Sequence, residues 1–412
     1  MEKQKKSVIG NKRNGEKPSA SATKGRSHSK NASFDNRQPQ RTRPQKSKTQ
    51  STHPTKAQPH RNSSSINRKQ RKRKKKKSFF KKTLIFLLIL LLGSTAYAAS
   101  VIKFSNLNKD LSNKASKYNI SSSASNMALN HRIVNIAIFG VDGRSDVEGD
   151  RSDSMMIASA DFEHNKIKVT SLMRDTYVYI NKDTDYDKLN SAYAIGGPDL
   201  ALKVINQNFD TAITDYVTID FTSMVEMVNA VGGVTINIGS DDELYWINQY
   251  LMDVNDKVKT SSPDVPGTGD QILDGSQALS YCRVRYVGNG DFDRTERQRK
   301  VFEQVLQKAM DLNPLAQYNL LNKVMPYTKT SLSFNEILKY AGNAMLMKGH
   351  EIQQMRIPTD QYVETGMLYD VSYVFPVTLV DNIKALYQFI YEADYTPSSG
   401  AQGISRDIED VW

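Results

Sequence analysis

The sequence predicts an α/β fold, with helices on both faces of one sheet, preceded by a single transmembrane helix. Between residues 133 and 391, short apolar or β-branched runs alternate with segments of helical spacing, without internal repeats. Residues 83–102 carry no charge over about the length that a helix needs to cross a bilayer. Charge divides the chain at the same place, since residues 1–82 hold 27 Lys and Arg against 3 acidic residues, which leaves an acidic remainder.

Residues 1–82 are predicted to form a disordered, basic cytoplasmic arm. They are rich in Ser, Asn, Gln, Lys, Arg and Pro and contain few large apolar residues, so they cannot bury enough surface to fold. A basic arm is also compatible with nucleic-acid binding. Polybasic segments beside a membrane are more typical of contact with anionic lipid headgroups, so we expect membrane lipid as a partner and no nucleic acid.

Residues 83–102 are predicted to be the transmembrane helix. Cations such as Lys81 and Lys82 flank it on its N-terminal side only, which places the N-terminus in the cytoplasm and the body outside, as a single-pass type II protein of the cell membrane. The alternative is a cleaved signal peptide, because Ala96-Tyr97-Ala98 resembles a cleavage site. The long arm favours an anchor. Residues 103–131, polar and rich in Ser and Asn, are predicted to be an extracytoplasmic stalk.

A globular body is predicted over residues 132–395. Strands are expected at residues 133–141, 154–160, 167–172, 216–219, 234–238, 281–286 and 352–357. Helices are expected at residues 200–209, 221–231, 294–310, 315–325, 334–346 and 379–391, with a helical turn at 275–279. Residues 241–266 are interpreted as a surface excursion and residues 396–412 as a loose C-terminal tail.

Cys282 is the only cysteine, so no disulfide can form within the chain. It lies in an Arg-rich segment that is predicted to be a strand, with no histidine nearby, so a catalytic cysteine is not expected.

The first cluster of candidate site residues lies where the first strand ends and the second begins. Asp142 follows the first strand, and Arg151 and Asp153 precede the second, so the loop between them brings the two carboxylates close together. A divalent cation would relieve their repulsion, and hard oxygen ligands favour Mg²⁺. The alternative is a solvated loop that contains acidic residues.

A second cluster follows the third predicted strand. Arg174 and Asp175 come directly after that strand, and Lys188 lies a little further along the chain. On its own, an Arg-Asp pair at a strand end is often a structural ion pair.

The third cluster is rich in arginine. Arg283 and Arg285 are two residues apart on a predicted strand and would share one face of it. Asp291 follows, and Arg294 and Gln298 are four residues apart on one face of the next helix. Three guanidiniums so placed would repel one another unless an anion lies between them, and phosphate suits the arginine fork. The alternative is that these arginines pair with acidic residues elsewhere.

The motifs between residues 136 and 300 closely resemble those of the LytR–CpsA–Psr family of cell-wall proteins. Their order and number make the resemblance specific, and the arm, single anchor and outer body fit the family's layout. One departure is Leu172-Met173, where members usually have Ile-Pro. The matching elements are Gly140-Val141-Asp142, Arg151-Ser152-Asp153-Ser154, Arg174-Asp175-Thr176-Tyr177-Val178, Lys188-Leu189-Asn190-Ser191-Ala192-Tyr193, Gly232-Gly233-Val234, Leu273-Asp274-Gly275, Gln277-Ala278-Leu279, Arg283-Val284-Arg285, and Asp291 through Arg294 to Arg297-Gln298.

The resemblance implies an α/β/α sandwich with a central mixed sheet, making residues 132–395 a LytR–CpsA–Psr catalytic domain. It implies a bound polyprenyl (pyro)phosphate whose chain lies in an apolar tunnel, and the helices after Leu200 and Phe221 are our candidates for the tunnel wall from their pattern alone. The implied activity is that of a phosphotransferase. It would move a glycopolymer phosphate (wall teichoic acid, capsular or related polysaccharide) from an undecaprenyl-pyrophosphate carrier onto peptidoglycan.

The resemblance also implies roles for individual residues. Asp142 and Asp153 would bind Mg²⁺. The pyrophosphate would be bound by Arg151, Arg174, Lys188, Arg283, Arg285, Arg294 and Gln298. The catalytic set would comprise Asp142, Arg151, Asp153, Arg174, Asp175, Arg283, Arg285, Asp291 and Arg294. Asp142, Asp175 and Asp291 are all possible general bases, and the sequence does not choose among them.

Two other functions stay open. The chain could be a non-catalytic module that binds polyprenyl phosphate or the cell wall, or a membrane-bound transcriptional attenuator. The attenuator is supported only by the basic arm, which shows no helix-turn-helix pattern. The presence of both aspartates and the full arginine set favours the enzyme. The sequence does not identify the polymer.

Overall fold

The computed structural model describes residues 111, 113–131, 133–142, 151–345, 347, 349 and 351–411. The predicted arm at residues 1–82, the transmembrane helix at 83–102 and the first part of the stalk lie outside the described residues. Within the described ranges, no helix combines the length and the apolar character that crossing a membrane requires.

The described chain contains strands and helices in alternation. The strands are β1 (Ile133–Val141), β2 (Ser152–Asp161), β3 (Lys166–Leu172), β4 (Tyr177–Asn181), β5 (Asp185–Lys188), β6 (Asp215–Ile219), β7 (Val234–Ile238), β8 (Gly269–Leu273), β9 (Thr328–Thr330), β10 (Ile352–Ile357), β11 (Val363–Leu368) and β12 (Val371–Pro376). The helices are α1 (Ser122–Asn130), α2 (Ser191–Phe209), α3 (Phe221–Ala230), α4 (Asp241–Val258), α5 (Gly275–Arg283), α6 (Asp291–Asp311), α7 (Pro314–Val324), α8 (Phe334–Met345), α9 (Leu379–Tyr391) and α10 (Ser399–Val411).

Six of these strands form one mixed sheet in the order β10-β3-β2-β1-β6-β9. β1 pairs with β2, β2 with β3, and β6 with β9 in antiparallel fashion, whereas β1 with β6 and β3 with β10 are parallel. The prediction of a central mixed sheet is therefore confirmed.

Helices cover both faces of this sheet. Because side chains alternate along a strand, Phe139 and Ile157 point to one face, where they pack in the main core with α2 and α9. Met156 points to the other face and packs with Met310 of α6. The layers are therefore helix, sheet and helix, as expected from the resemblance.

A second core lies beside the sheet and is built from the antiparallel strand pair β7 and β8 with α3, α4, α5 and α6. Two local features at the start of α5 fix its position in this core. Asp274 accepts a hydrogen bond from the Gln277 backbone N–H, and the Gln277 side chain accepts one from the Asp274 backbone N–H, which is a capping box. Gly275 brings α5 against α3, since a Cβ there would lie only 2.3 Å from the carbonyl oxygen of Val225.

Two element predictions in the second core are wrong. Residues 281–286 are not a strand, because α5 continues to Arg283 and is buried over Gly275–Cys282. Residues 241–266 are not simply a surface excursion, because α4 occupies 18 of them and buries Ile247, Leu251 and Val254.

The ends of the predicted body are also different. Residues from 399 onward are not a loose tail, because α10 buries Ala401 and Ile408 in the main core. The last part of the predicted stalk belongs to the fold, since Tyr118 is 3% exposed and packs in the same core.

Candidate active site

A cavity of about 260 Å³ lies between the sheet and the second core. Its inner wall is apolar and includes Ile138 and Met156 of the sheet, Met224 of α3, Leu279 of α5 and Phe302 of α6. Its remaining lining, which we call the mouth, is polar and strongly charged. A cavity with an apolar interior and charged groups at one end suits an amphiphilic ligand.

The structure brings most of the predicted site residues to this one cavity. Seven of them line it: Asp142, Asp153, Arg174, Arg283, Arg285, Arg294 and Gln298. We call the four guanidiniums of Arg174, Arg283, Arg285 and Arg294 the arginine rim. The seven lining residues come from five separate stretches of chain, so their convergence is a property of the fold.

A β-bulge places Asp153. In the β1–β2 ladder Gly140 faces Ser154 and Val141 faces Ser152, so Asp153 is the extra residue. A bulge redirects the side chain of its extra residue, and bulges are common beside active sites. The Asp153 carboxylate accepts a short hydrogen bond from Nη1 of Arg174, and Asp142 lines the same wall at the end of β1.

Arg174 follows β3 and is surrounded by carboxylates. Besides Asp153, it lies 3.5 Å from Asp175 (Nε to Oδ2) and 3.5 Å from Asp291 (Nη2 to Oδ1). Burial opposes its charge, but the three carboxylates, with Asp291 strongest, raise the pKa of Arg174. Asp175 is held in turn by Lys188, 3.3 Å away, which places Lys188 behind the rim.

The turn before Arg174 explains the departure from the family motif. Met173 is fully buried, and its backbone N–H donates a 2.9 Å hydrogen bond to the carbonyl of Ile357 in β10. A proline at this position has no N–H to donate. The backbone hydrogen bond with β10 therefore uses a donor that the usual Ile-Pro sequence lacks.

Arg294 lies at the start of α6 and is 5% exposed. Asp291 lies 2.7 Å away, from Nη2 to Oδ1. Burial, followed by repulsion from Arg174, lowers the pKa of Arg294 despite that carboxylate. Its Nε is buried and has no hydrogen-bond acceptor among the described residues. Leaving such a donor unsatisfied costs about 1–3 kcal/mol, so the site favours an anionic ligand.

Arg283 is held by helix α4, which the sequence analysis did not include in the site. Nη1 of Arg283 lies 2.6 Å from Oδ2 of Asp253, and Nζ of Lys257 lies 3.0 Å from the same oxygen. Lys257 also lies 3.9 Å from Asp142. The Arg283 guanidinium stands over the rings of Phe221 and Tyr250, 5.2 Å from each centroid.

The remaining predicted residues differ in position. Arg285 follows α5, is exposed, and forms no ion pair with any residue that the structure describes. Arg151 is exposed and is not among the described residues that line the cavity. Cys282 is 5% exposed, and burial raises its pKa to about 12, so a protonated, unreactive thiol is expected.

One tunnel-wall candidate fits the cavity and the other does not. Helix α3, which begins at Phe221, contributes Phe221, Met224 and Met227 to the lining. Helix α2, which contains Leu200, packs in the main core, and none of its residues lines this cavity in the described part of the chain. That part of the expectation is wrong.

A family model and a curated relative match this chain. The model of the LytR_cpsA_psr family matches residues 96–384. The polyisoprenyl-teichoic acid--peptidoglycan teichoic acid transferase TagU of Enterococcus faecalis is 38% identical over 238 residues, which are 57% of this chain and 70% of that protein.

Solved structures share the fold. A protein of Streptococcus agalactiae has a TM-score of 0.54 at 26% identity, over 68% of this chain and 92% of its own. TagT bound to LI-WTA has a TM-score of 0.51 at 21% identity, over 63% of this chain and 90% of its own. At that identity the second likeness concerns the fold alone.

Proposed function

The chain is a member of the LytR–CpsA–Psr family, and we propose that it is a phosphotransferase that moves a glycopolymer phosphate from an undecaprenyl-pyrophosphate carrier onto peptidoglycan. The observation that carries this proposal is the arginine rim at the mouth of an apolar cavity. The transferase name of the Enterococcus faecalis relative, teichoic acid to peptidoglycan, supports the same reaction class.

The cavity matches the two halves of a lipid pyrophosphate. A polyprenyl chain is apolar and suits a wall that includes Ile138, Met156 and Met224. A pyrophosphate is a compact polyanion, and planar guanidiniums bind its oxygens in bidentate fashion. The buried, unsatisfied Nε of Arg294 is one donor that an anion could satisfy.

The reaction requires one bond to form and one to break. A hydroxyl oxygen of the peptidoglycan glycan attacks the phosphorus that carries the glycopolymer, and the bond from that phosphorus to the bridging oxygen breaks. Undecaprenyl phosphate leaves with the electron pair, and the hydroxyl proton passes to a carboxylate or to solvent. Phosphoryl transfer depends mainly on positioning and charge neutralisation, and the arginine rim would neutralise charge on the transferred and leaving phosphates.

The three candidate bases differ in their surroundings. Asp142 lines the cavity, whereas Asp175 and Asp291 each lie within 3.5 Å of Arg174. Carboxylates already engaged by guanidiniums are better suited to orienting the rim. Asp142 itself lies 3.9 Å from Lys257 and is one of the two proposed Mg²⁺ ligands, so each of the three carboxylates has a cationic neighbour.

Mg²⁺ is part of the proposal. Asp142 and Asp153 fit it, because they offer hard carboxylate oxygens from neighbouring strand ends on one cavity wall. The ion would supply charge neutralisation at the transferred phosphate. Arg174 orients the Asp153 carboxylate through its hydrogen bond.

The proposed location follows from the sequence. The uncharged segment at residues 83–102, with cations on one flank, would anchor the chain and place the body outside the cell membrane. There the pyrophosphate of a lipid-linked donor and the peptidoglycan acceptor are both within reach. Wall teichoic acid is the polymer that the name of the relative favours.

The test is a transfer assay with the full-length chain in detergent. Mg²⁺, a polyprenyl-pyrophosphate-linked glycan and peptidoglycan oligomers are supplied, and the release of polyprenyl phosphate is measured. We expect release by the parent chain and a loss of at least about 100-fold in Arg283→Ala, as for removal of one preorganised donor. A loss of similar size is expected in Asp153→Ala, which removes a proposed Mg²⁺ ligand. Arg406→Ala, an exposed arginine of α10, is the matched control and should match the parent.

The outcomes separate the alternatives. A chain that binds the lipid donor without releasing polyprenyl phosphate is the non-catalytic module. Activity of Arg283→Ala and Asp153→Ala equal to that of Arg406→Ala contradicts the proposed site. Activity that survives a chelator unchanged removes Mg²⁺ from the proposal and leaves the arginine rim in place.

A further inference from the structure

Helix α4 lays one stripe of side chains along the mouth of the cavity. Trp246, Tyr250, Asp253 and Lys257 follow one another at intervals of four, three and four residues, so they share one face of the helix. The C-terminal half of the stripe is charged and contacts the site, through Asp253 and Lys257. The N-terminal half is aromatic.

The aromatic half continues directly from the arginine rim. Tyr250 lines the cavity, and its ring lies 5.2 Å from the Arg283 guanidinium. Trp246 lies 6.3 Å from Tyr250 between ring centroids, and Tyr286, the residue after Arg285, lies 4.4 Å from Trp246. We call Trp246, Tyr250 and Tyr286 the aromatic shelf.

Packing alone does not account for the whole shelf. Trp246 and Tyr250 are partly buried against the second core, so packing accounts for the buried parts of these two rings. Tyr286 is 65% exposed and the neighbouring Tyr245 is 57% exposed, so these rings keep most of their surface in solvent. Exposed aromatic surface beside a charged cavity is typical of a binding site.

We propose that the aromatic shelf binds the sugar residues of the donor that adjoin the transferred phosphate. Pyranose rings carry apolar C–H faces that stack on aromatic rings, while their hydroxyls stay hydrated. This inference rests on the proposed function, because it takes the phosphate bound by the arginine rim as its starting point.

We expect the aromatic shelf to bind the donor rather than the acceptor, because only the donor's sugar is already bonded to the transferred phosphate. The proximal sugar is bonded to the phosphate, so it must lie within about one sugar length of Arg283 and Arg285. The Arg283 guanidinium stands over the rings of Phe221 and Tyr250. From Tyr250 the rings continue through Trp246 to Tyr286, the residue after Arg285. Trp246 lies one helical turn, about 6 Å along the axis, from Tyr250, which is room for roughly one further sugar.

Trp246 provides a direct binding signal. The chain has two tryptophans, Trp246 and Trp412, so Trp412→Phe leaves Trp246 as the only indole. In that full-length background, polyprenyl pyrophosphate carrying a disaccharide should change the Trp246 emission strongly, and the same lipid without sugar should change it much less. Equal changes with both lipids would overturn the proposal.

Substitution separates the sugar contact from the phosphate contact. We expect Tyr286→Ala to weaken binding of the disaccharide lipid roughly three- to tenfold, and binding of the bare lipid by less than twofold. Tyr369→Ala, a tyrosine 92% exposed at the β11–β12 turn, is the matched control and should leave both unchanged. Equal weakening of both lipids by Tyr286→Ala would contradict a sugar subsite.

Kinetics distinguish donor from acceptor. In the transfer assay, Tyr286→Ala should raise the KM for the donor and leave the KM for peptidoglycan oligomers unchanged. A rise in the acceptor KM alone would assign the shelf to the acceptor and overturn the proposal. If the parent chain shows no transfer, the proposed function fails, while the two binding measurements still decide whether the shelf binds sugar.

Discussion

Gly275→Ala tests the close approach of α3 and α5, two helices that contribute to the apolar wall of the cavity. A Cβ at Gly275 would lie 2.3 Å from the carbonyl oxygen and 2.7 Å from the Cα of Val225. Real Cβ contacts are essentially never shorter than 3.0 Å, so the helices must separate by at least about 0.7 Å. Backbone atoms on both sides leave no flexible side chain to yield.

The expected magnitude follows from overpacking. Forcing extra volume into a well-packed contact costs about 1–3 kcal/mol, which for a domain of this size lowers Tm by roughly 2–10 °C. The same displacement moves Met224 and Leu279, which face the cavity from α3 and α5. We therefore expect a higher KM for the lipid donor as well as a lower Tm.

The assay is thermal unfolding of the full-length chain in detergent, followed by circular dichroism. Gly342→Ala is the matched control, since a Cβ at this position of α8 meets open space. There the same substitution should stabilise the helix by about 0.5–1 kcal/mol. If Gly275→Ala raised Tm as Gly342→Ala does, the reasoning from the close approach would be refuted.

Three further predictions concern charge. Lys168 and Asp161 are both fully buried, 3.2 Å apart, so Lys168→Met should cost about 3–5 kcal/mol in urea unfolding. Although burial opposes it, hydrogen bonds lower the pKa of Asp161. The ionised Asp161 therefore stabilises the fold above about pH 4, and this stabilisation is lost as the pH falls further. The difference in unfolding free energy between Lys168→Met and the parent should become smaller below that pH. Cys282, with a pKa of about 12, should be alkylated by iodoacetamide at pH 8 far more slowly in the folded chain than in guanidinium. Asp253→Asn should lower the free energy of unfolding by less than about 1 kcal/mol, because the ion pair with Arg283 is half-exposed. It should nevertheless raise the KM for the donor, and an unchanged KM would show that Asp253 does not belong to the site.

The main sheet could be predicted because its signal is local. The hydrophobic pattern alone predicts the apolar run that forms β1 and the strands β2 and β3 that follow it. Because Asp142 follows β1 and Asp153 lies at the start of β2, their presence at one cavity could be predicted without a structure. The bulge that redirects Asp153 did not, since it depends on how β1 and β2 register against each other.

The second core was harder because its local signals conflict. Tyr281 to Tyr286 alternates as a strand does, but the capping box at Asp274 starts a helix that runs through Arg283. Helix α4 was missed because eight of its 18 residues are acidic or amide side chains that interrupt the apolar pattern. Its apolar stripe of Ile247, Leu251 and Val254 has helical spacing, and weighing that stripe above composition would have found it.

The site's ion pairs could not be predicted from the sequence, and they determine how the site works. Asp291 and Asp253 each orient an arginine of the rim, and their partners Arg174 and Arg283 are 117 and 30 residues away along the chain. Guanidiniums that are held in place before the ligand arrives lose less conformational freedom on binding, so more of the interaction energy is available to the transition state. The acidic residues around the rim reduce its net positive charge but fix the geometry of its guanidiniums, and the buried Arg294 Nε keeps a donor for the phosphate. Helix α4 combines this orienting role with a binding surface. One of its faces orients Arg283 and presents aromatic rings where the sugar of the donor must lie.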